Sequence, residues 1–394
     1  MKKERDIFQV QDTLCLENRV KNMTAILFRI FTVVLFSGIF LYYYFKRMLL
    51  SYFPKLGNKI IYGILLVISA VLAFCRTNKW GFGEFLVGHL TAFALAVEVI
   101  HLMIFYGFKK KNQVWEKLVR RGLVPAVLMV AVLIYGYFNM IIIKNTEYTV
   151  VTGKNIRSQG YDIILMSDIH FGTTMDIKKF REICAEISAG HTDIVVLCGD
   201  ITDENTTKQE MQDFFQVAGT IQSEFGVFYV YGNHDRQPYR RNKKFTVREL
   251  DTAMSDAGIH VLSDETFRLN DEFVIIGRED EGGSLTGNRA SIDKLVKGVD
   301  MEDFVLVLDH KPKDVEACGD AGCDLQLSGH THGGQVWPKG LINGLTREYY
   351  YGHETYKDYS VIISSGAGGW GYPFRTGSRS EIVKIHIKPE TDER

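Results

Sequence analysis

The 394-residue chain has a formal net charge of only -1 at neutral pH, and it lacks the basic balance of dedicated nucleic-acid-binding proteins. It also lacks internal repeats and low-complexity linkers, which argues against a repeat array or a long disordered linker. These absences favour a chain built of folded domains, and its length suggests two or three of them.

Cysteines are few and scattered. The sequence has six of them and no Cys-x-x-Cys pair, which argues against a disulfide framework and against a structural zinc ribbon. Cys184 lies on a predicted helix and Cys198 ends a predicted buried strand, where a free thiol behaves as a small apolar side chain. Cys318 and Cys323 are near enough in sequence either to form a bridge, which an extracytoplasmic location would allow, or to remain reduced.

Apolar residues are concentrated in the first third of the chain. Four apolar runs stand out there, at residues 25–45, 60–75, 85–108 and 123–143. Three of them exceed the roughly 18 residues that mark a transmembrane helix, and the second is slightly short, as a tilted span can be. The pattern predicts three regions: an N-terminal tail at residues 1–22, a four-helix transmembrane region at 23–147 and a soluble domain at 148–394.

The orientation in the membrane follows from the connections between these runs. The most basic short connections contain Lys46-Arg47 and the stretch from Lys109 to Arg121. The positive-inside rule places both in the cytoplasm, so the chain after Ile143 is predicted to be extracytoplasmic. Residues 1–22 oppose this orientation because they carry five Lys or Arg, although they also carry four Asp or Glu. Translation that begins at Met23 would remove the conflict.

Two ionisable residues fall within the third apolar run. Glu98 and His101 lie three apart, on one face of the predicted helix. Ionisable groups at membrane depth are candidates for a proton path or a ligand site. The alternative is that they pair with each other inside a small bundle.

After Tyr148 the pattern changes to short apolar strands that alternate with amphipathic helices. The strands run almost without polar interruption, as expected where both faces of a sheet are covered. Helices are predicted at residues 176–188 and 246–257. Strands near 259–262 and 272–277 suggest a switch to a second sheet, and two last strands, at 360–364 and 381–387, flank a glycine-rich loop at 366–371.

Five of the predicted strands end in residues that bind metals. The residues that follow these strands are Asp168 and His170, Asp200 and Asp203, Asn233 to Asp235, Asp309 and His310, and His330 and His332. In open α/β sheets, ligands bind at the carboxyl ends of strands, so these groups are predicted to converge. Imidazole, carboxylate and amide oxygen together favour a site for two divalent metal ions.

The five motifs resemble, in order, those of the calcineurin-like metallophosphoesterases. They are Asp168-x-His170, Gly199-Asp200-x-x-Asp203, Gly232-Asn233-His234-Asp235, a solitary His310 and Gly329-His330-x-His332. The Gly-Gly-Gln that follows, Arg375 and the N-terminal spans are similar to the membrane-anchored bacterial branch. The resemblance covers roughly residues 160 to 388. It implies an α/β fold, a four-layer α/β/β/α sandwich with helices outside two mixed sheets, here preceded by four transmembrane helices.

The resemblance also implies a role for each motif residue. Asp168, His170 and His332 would hold one metal, and Asn233, His310 and His330 would hold the other, with Asp200 bridging both. His234 would be the catalytic histidine, oriented by Asp235. Mn is the metal that the resemblance favours, and the ligand types also suit Fe, Zn or Mg. Arg375 is either a substrate-binding residue that contacts phosphate or a surface cation.

The predicted function is a membrane-anchored, dinuclear-metal phosphoesterase. It would hydrolyse phosphodiester or phosphomonoester bonds through attack by metal-activated hydroxide. An outward-facing site beside the bilayer suggests phosphodiesters or pyrophosphates of lipids or cell-envelope polymers, whereas an inward-facing site would admit nucleotides. Two alternatives belong to other classes of protein: a small membrane transporter or sensor that the phosphoesterase domain regulates, motivated by Glu98 and His101, and a metal-dependent scaffold without catalysis, which would have no need of His234.

Overall fold

The computed structural model describes residues 38–65, 67, 82–107, 112–281, 289–346, 349–371 and 373–390. The chain divides into two compact units, Met1–Ala131 and Val132–Arg394. The predicted tail at residues 1–22 lies outside the described residues.

The first unit is helical over most of its described length. Its helices are α1 (residues 38–52), α2 (58–65), α3 (Phe82–Leu102) with a π-helical continuation (Met103–Gly107), α4 (Gln113–Arg120) and the start of α5 (Leu123–Ile141). Two segments, Phe85–Gly107 and Leu123–Ile141, are long and apolar enough to cross a membrane. The predicted spans at 25–45 and 60–75 lie partly or mostly outside the described residues.

The second unit contains two six-stranded mixed sheets. The first sheet has the order β1-β12-β2-β3-β4-β5. Its strands are β1 (Lys144–Thr152), β2 (Tyr161–Met166), β3 (Ile194–Cys198), β4 (Val227–Val230), β5 (His260–Val261) and β12 (Glu381–Pro389). Strands β2 to β5 run parallel, and β12 pairs antiparallel with β2 and parallel with β1.

The second sheet has the order β10-β11-β9-β8-β7-β6. Its strands are β6 (Glu265–Arg268), β7 (Phe273–Gly277), β8 (Phe304–Leu308), β9 (Leu325–Ser328), β10 (Gly352–Tyr356) and β11 (Tyr359–Ile363). The four central strands β7, β8, β9 and β11 are parallel, and the two edge strands are antiparallel to their neighbours. The two sheets confirm the mixed α/β architecture that the sequence predicts.

Helices cover the outer face of each sheet. Over the first sheet lie α6 (Ile177–Ala189), α7 (Lys208–Ala218) and α8 (Val247–Asp256), and over the second lie α9 (Ile292–Leu295) and α10 (Val315–Asp320). A third apolar cluster fills the space between the sheets and includes Ile163, Val196 and Leu306. Central strands are therefore buried on both faces, which explains their largely apolar sequences. All four cysteines among the described residues are free thiols and are buried. Cys318 and Cys323 therefore form no bridge with each other.

The start of the second unit differs from the predicted boundary at residue 148. The compact unit begins at Val132, within α5, and β1 begins at Lys144. The first four residues of β1 are polar and mostly exposed, so no apolar run marks the strand. Its place in the fold comes from its pairing with β12, more than 200 residues later, a non-local contact that leaves no periodic signal in the sequence.

Candidate metal centre

The first group of candidate ligands joins the ends of β2 and β9. Asp168, His170 and His332 each offer an atom within 4.8 Å of the others. The Nε2 atom of His332 lies 3.5 Å from Oδ1 of Asp168, and the rings of His170 and His332 stack with centroids 5.2 Å apart. Residues from the two sheets thus meet at one end of the sandwich, as the carboxyl ends of their parallel strands predict.

The second group contains Asp200, His310 and His330, which also approach one another within 4.8 Å. Nδ1 of His310 lies 2.9 Å from the carbonyl oxygen of Cys198, which leaves its Nε2 facing Asp200 at 3.2 Å. Oδ2 of Asp200 is also 3.9 Å from Nε2 of His170, a member of the first group. Asp200 therefore lies between the two groups, and Oδ2 is the atom that faces both.

The backbone at these positions is unusual. Five of the six residues in the two groups have positive φ angles between 46° and 69°, and the exception is His310. A left-handed backbone costs roughly 1–2 kcal/mol per non-glycine residue, and such strain is concentrated at functional sites. Neighbouring glycines allow close packing here, because a Cβ on Gly329 would overlap the Asp168 carboxylate and one on Gly232 would overlap Asp200.

The donor atoms fit a metal centre. Several buried side-chain atoms at this site have no hydrogen-bond partner within the part of the chain that the structure describes: Nδ1 and Nε2 of His170, Oδ1 of Asn233, Nε2 of His310 and Nδ1 of His332. Buried polar atoms without partners are costly in a folded protein, and a bound cation would satisfy them. Their positions are those that the sequence assigns to two metals.

Electrostatics at the site also favour cations. Burial raises the pKa of Asp200, but the charges of His310 and His170 outweigh it and hold that pKa well below its usual range. Burial lowers the pKa of His310, but Asp200 and Asp168 raise it to about 10. Burial and the charge of His310 lower the pKa of His330 to about 3, which favours the neutral imidazole that a metal binds.

His234 lies beside these groups and belongs to neither. Its backbone N–H donates to Oδ1 of Asp200 at 2.8 Å, and its Nδ1 is 2.8 Å from Oε2 of Glu204. Burial lowers the pKa of His234, but the hydrogen bond with Glu204 and the charge of Asp200 raise it above its ordinary value. The ring therefore stands in a fixed orientation next to the shared carboxylate.

Comparison with known proteins agrees with this geometry. Residues 161–334, which include every residue of both groups, match the family described as calcineurin-like phosphoesterase. The chain carries a calcineurin-like phosphoesterase domain. An uncharacterized metallophosphoesterase of Helicobacter pylori is 31% identical over 231 residues, which cover 58% of this chain and 60% of that protein. The match thus spans about three fifths of that relative's length.

Two other relatives differ in how much of the chain they match. An uncharacterized metallophosphoesterase of Campylobacter jejuni is 25% identical over 386 residues, covering 91% of this chain and 97% of its own length. A zebrafish protein named as a transmembrane protein with a metallophosphoesterase domain is 27% identical over 238 residues, covering 58% of this chain and 53% of its own. The predicted superfamily is confirmed.

Asp235 of the phosphoesterase domain does not orient His234, contrary to the role that the sequence suggested. Its carboxylate accepts hydrogen bonds from the backbone N–H groups of Gly232, Asp200, Ile201 and Thr202, at 2.6, 2.9, 2.9 and 3.0 Å. Asp235 thus binds the loops after β3 and β4 to each other. The partner of His234 is Glu204, which the sequence analysis missed. Its one sequence signal is its place directly after Asp203.

Arg375 is not a surface cation, and its side chain is not accessible to a phosphate in this structure. Its side chain is fully buried, and its guanidinium donates to the carbonyl oxygens of His332, Ser365, Gly366, Gly368 and Arg379. Burial lowers its pKa to about 10 in spite of Asp168. In this structure the guanidinium joins the glycine-rich loop to the backbone of His332, which is a candidate metal ligand.

Two exposed aromatic residues, also missed from the sequence, flank His234. The rings of Tyr239 and Trp370 lie 5.1 and 5.8 Å from the ring of His234, measured between centroids. Both side chains are largely open to solvent. They therefore lie beside His234 at the protein surface.

Proposed function

We propose that the chain is a metal-dependent phosphoesterase, anchored in a membrane, that hydrolyses phosphodiester or phosphomonoester bonds. The observation that carries this proposal is Asp200, which lies between two ligand groups while His234 stands beside it without a place in either. A protein that only stores or senses a metal has no need of a histidine held in that position. The match covers only 60% of the length of the first relatives. The activity of the whole chain is therefore part of the proposal.

The residues that would hold the metals are those predicted. Asp168, His170 and His332 would hold one ion and Asn233, His310 and His330 the other, with Asp200 shared. Two divalent ions, when bound, supply a more acidic water and offset charge on the phosphoryl oxygens. We favour Mn, and the mixture of imidazole and oxygen donors also suits Fe, Zn or Mg.

His234 would supply the proton for the leaving oxygen. Glu204 accepts from Nδ1, so the other ring nitrogen, Nε2, is free to donate toward a substrate in the cleft. The carboxylate also favours the protonated ring, since it helps to raise the pKa of His234. The uncharged amide of Asn233 adds an oxygen donor to the site without adding a negative charge that would repel a phosphate.

The membrane part of the proposal includes four spans and a phosphoesterase domain on the extracytoplasmic side. It is supported by two long apolar helices, by basic connections between apolar runs and by relatives that are named transmembrane proteins. A site beside the bilayer on that side would meet phosphoesters of lipids or of cell-envelope polymers. Substrates of this kind form the class that we propose.

The experiment uses the full-length protein in detergent, supplied with Mn and given an aryl phosphodiester or an aryl phosphomonoester. Wild-type protein should turn over at least one of them, and His234→Ala should lose roughly 10²–10⁴-fold in turnover while it retains its metals. His191→Ala, which changes a largely exposed histidine, is the matched control and should keep full activity. Wild-type protein that is loaded with metal and inert toward both esters would disprove the proposal.

The alternative of a transporter or sensor rests on Glu98 and His101. In the first unit the Glu98 carboxylate forms a bidentate ion pair with Arg47, in which one Nη1–Oε2 distance is 2.8 Å. A carboxylate that is paired with an arginine has an ordinary structural explanation. The pairing differs from the expected contact between Glu98 and His101, and it removes the main reason to assign this helix a separate function.

A further inference from the structure

A group of large apolar side chains is exposed at one place on the second unit. Helix α11 (Lys339–Thr346) has no buried residue, and its Leu341, Ile342 and Leu345 are 61%, 54% and 77% exposed. Trp337, just before the helix, and Trp370 are 46% and 48% exposed. We call these five side chains the apolar rim. Apart from residues 134–142, the other large hydrophobic side chains of this unit that are exposed, among the described residues, are Val151 and Tyr239.

The apolar rim is built on two loops that are bonded to each other. The side chain of Gln335 donates to the carbonyl oxygens of Trp370 and Phe374, at 3.0 and 3.2 Å, and it accepts from the backbone N–H of Trp370 at 3.2 Å. The backbone N–H of Trp337 donates to Oγ1 of Thr376 at 3.1 Å. The start of α11 and the loop that carries Trp370 therefore form a single rigid support.

The same support holds the end of helix α5. The backbone N–H of Arg375 donates to the carbonyl oxygen of Gly136 at 2.9 Å, and the side chain of Asn139 donates to the carbonyl oxygen of Arg375 at 3.1 Å. Met140 packs against Gly369, the residue before Trp370. The exposed apolar residues of α5 between 134 and 141 are thus continuous, through this loop, with the support of the apolar rim.

We propose that the apolar rim lies in the interface of the bilayer that α5 enters, and that the active site takes phosphoesters carried by lipids in that same bilayer. The inference rests on the proposed function: it adds a membrane-binding surface and narrows the substrate class to phosphoesters carried by lipids. Tryptophan is enriched at the boundary between lipid and water, and a short helix with exposed leucines can lie in that boundary. The ring of Trp370 also lies 5.8 Å from the ring of His234, measured between centroids. A lipid headgroup would therefore reach the site while its acyl chains stay in the membrane.

The first test measures the location of the apolar rim without any reference to activity. The full chain, with Trp80, Trp115 and Trp370 changed to Phe, is placed in nanodiscs made with brominated or with ordinary phosphatidylcholine. Bromine quenches tryptophan at close range, so Trp337 should lose most of its emission in the brominated discs. Equal emission in both discs would overturn the inference. Equal emission together with a dimer that Leu345→Glu dissociates would assign the surface to a second copy of the chain.

The second test measures the substrate. A 4-nitrophenyl phosphodiester of dioleoylglycerol in nanodiscs is compared with the same phosphodiester of methanol in water. The ratio of lipid-ester to methyl-ester turnover should fall roughly tenfold or more in Leu341→Glu/Leu345→Glu, because charged side chains are expelled from the apolar boundary. The matched control is Val151→Glu, which changes an exposed valine outside the apolar rim and should leave the ratio unchanged.

The two tests separate this inference from the proposed function. Turnover of the methyl ester without quenching of Trp337 would support the phosphoesterase activity and contradict the membrane-binding surface. Quenching without turnover of either ester would support the membrane-binding surface and contradict the phosphoesterase activity. An unchanged ratio in the double variant would overturn the lipid-carried substrate, whatever the quenching shows.

Discussion

At the scale of single residues, the ring of His234 is held by Glu204, whereas the neighbouring Asp235 binds the backbone. Asp235 is adjacent in sequence, yet its carboxylate accepts from four backbone N–H groups. Glu204 reaches His234 from another loop, after β3, 30 positions earlier. A motif specifies which residues meet at a strand end, whereas the direction of each side chain depends on loop dihedral angles that a single sequence does not show.

Glu204 and Asp235 should therefore respond differently to substitution. We expect Glu204→Gln to lower turnover roughly tenfold or more at unchanged metal content and melting temperature, because the ring loses its charged partner. Asp235→Ala should instead destabilise the fold by about 3 kcal/mol, since buried N–H groups lose a charged acceptor. Turnover, metal analysis and thermal unfolding of both variants distinguish the two roles. Glu186→Gln, at an exposed position, is the control, and equal effects of all three changes on turnover would contradict the assignment.

At the scale of elements, the buried strands were predicted well and the exposed elements were not. Strands β3, β4 and β8 are marked by unbroken apolar runs and β2 and β9 by largely apolar ones, and the candidate metal ligands lie where these strands end. Helix α11 was not predicted because it contains Gly340 and Gly344, which weaken any helical signal. The polar edge strand β10 was missed for the same reason as β1, since neither presents an apolar run.

The glycine-rich loop between β11 and β12 depends on Arg375. Arg375→Met should weaken metal binding roughly 10- to 100-fold, as loss of a group that orients a ligand commonly does. Arg379→Met, the same change at an exposed arginine four positions away, should leave metal affinity unchanged. Titration of the metal-free variants with Mn measures the difference. A variant that binds Mn as the wild type does would show that Arg375 stabilises the loop without positioning His332.

At the scale of the whole molecule, the sequence predicts a membrane region followed by a soluble domain that begins at residue 148. The boundary at residue 147 follows the end of the last apolar run, whereas the compact second unit begins at Val132 because the final turns of α5 are bonded to the loop at 375–380. Hydrogen bonds between segments more than 200 residues apart decide this division, and the apolar pattern contains no trace of them.

Removal of metal should destabilise the phosphoesterase domain as a whole. Full-length protein treated with a chelator should unfold at a lower temperature, and addition of Mn at about 100 times its dissociation constant should restore about 2.7 kcal/mol. The physical reason is that the unpartnered atoms of His170, Asn233 and His310 regain a partner. Asp200→Ala, which lacks the shared ligand, should show a much smaller shift in calorimetry. Equal shifts in both proteins would mean that Mn binds elsewhere.

The orientation of the domain can be tested with reporters. Alkaline phosphatase fused after residue 150 should be active, because the chain is predicted to be extracytoplasmic there, and a fluorescent protein at that site should be dark. Fusions after Lys55, in the first basic connection, should give the opposite pattern and serve as the control. The reverse result at residue 150 would place the site in the cytoplasm and would favour soluble phosphoesters as substrates.

The left-handed backbone of the candidate ligand residues affects which donor atoms the site can offer to a metal. Aspartate, asparagine and histidine adopt positive φ far more readily than most other side chains, and four candidate ligands besides Asp168 share that conformation. A substitution by cysteine at these positions would introduce conformational strain, which would oppose the free energy gained from a metal–sulfur bond. The shape of the main chain thus favours oxygen and nitrogen donors at these positions, and a redesign of this protein for thiophilic ions would gain from rebuilding its loops first.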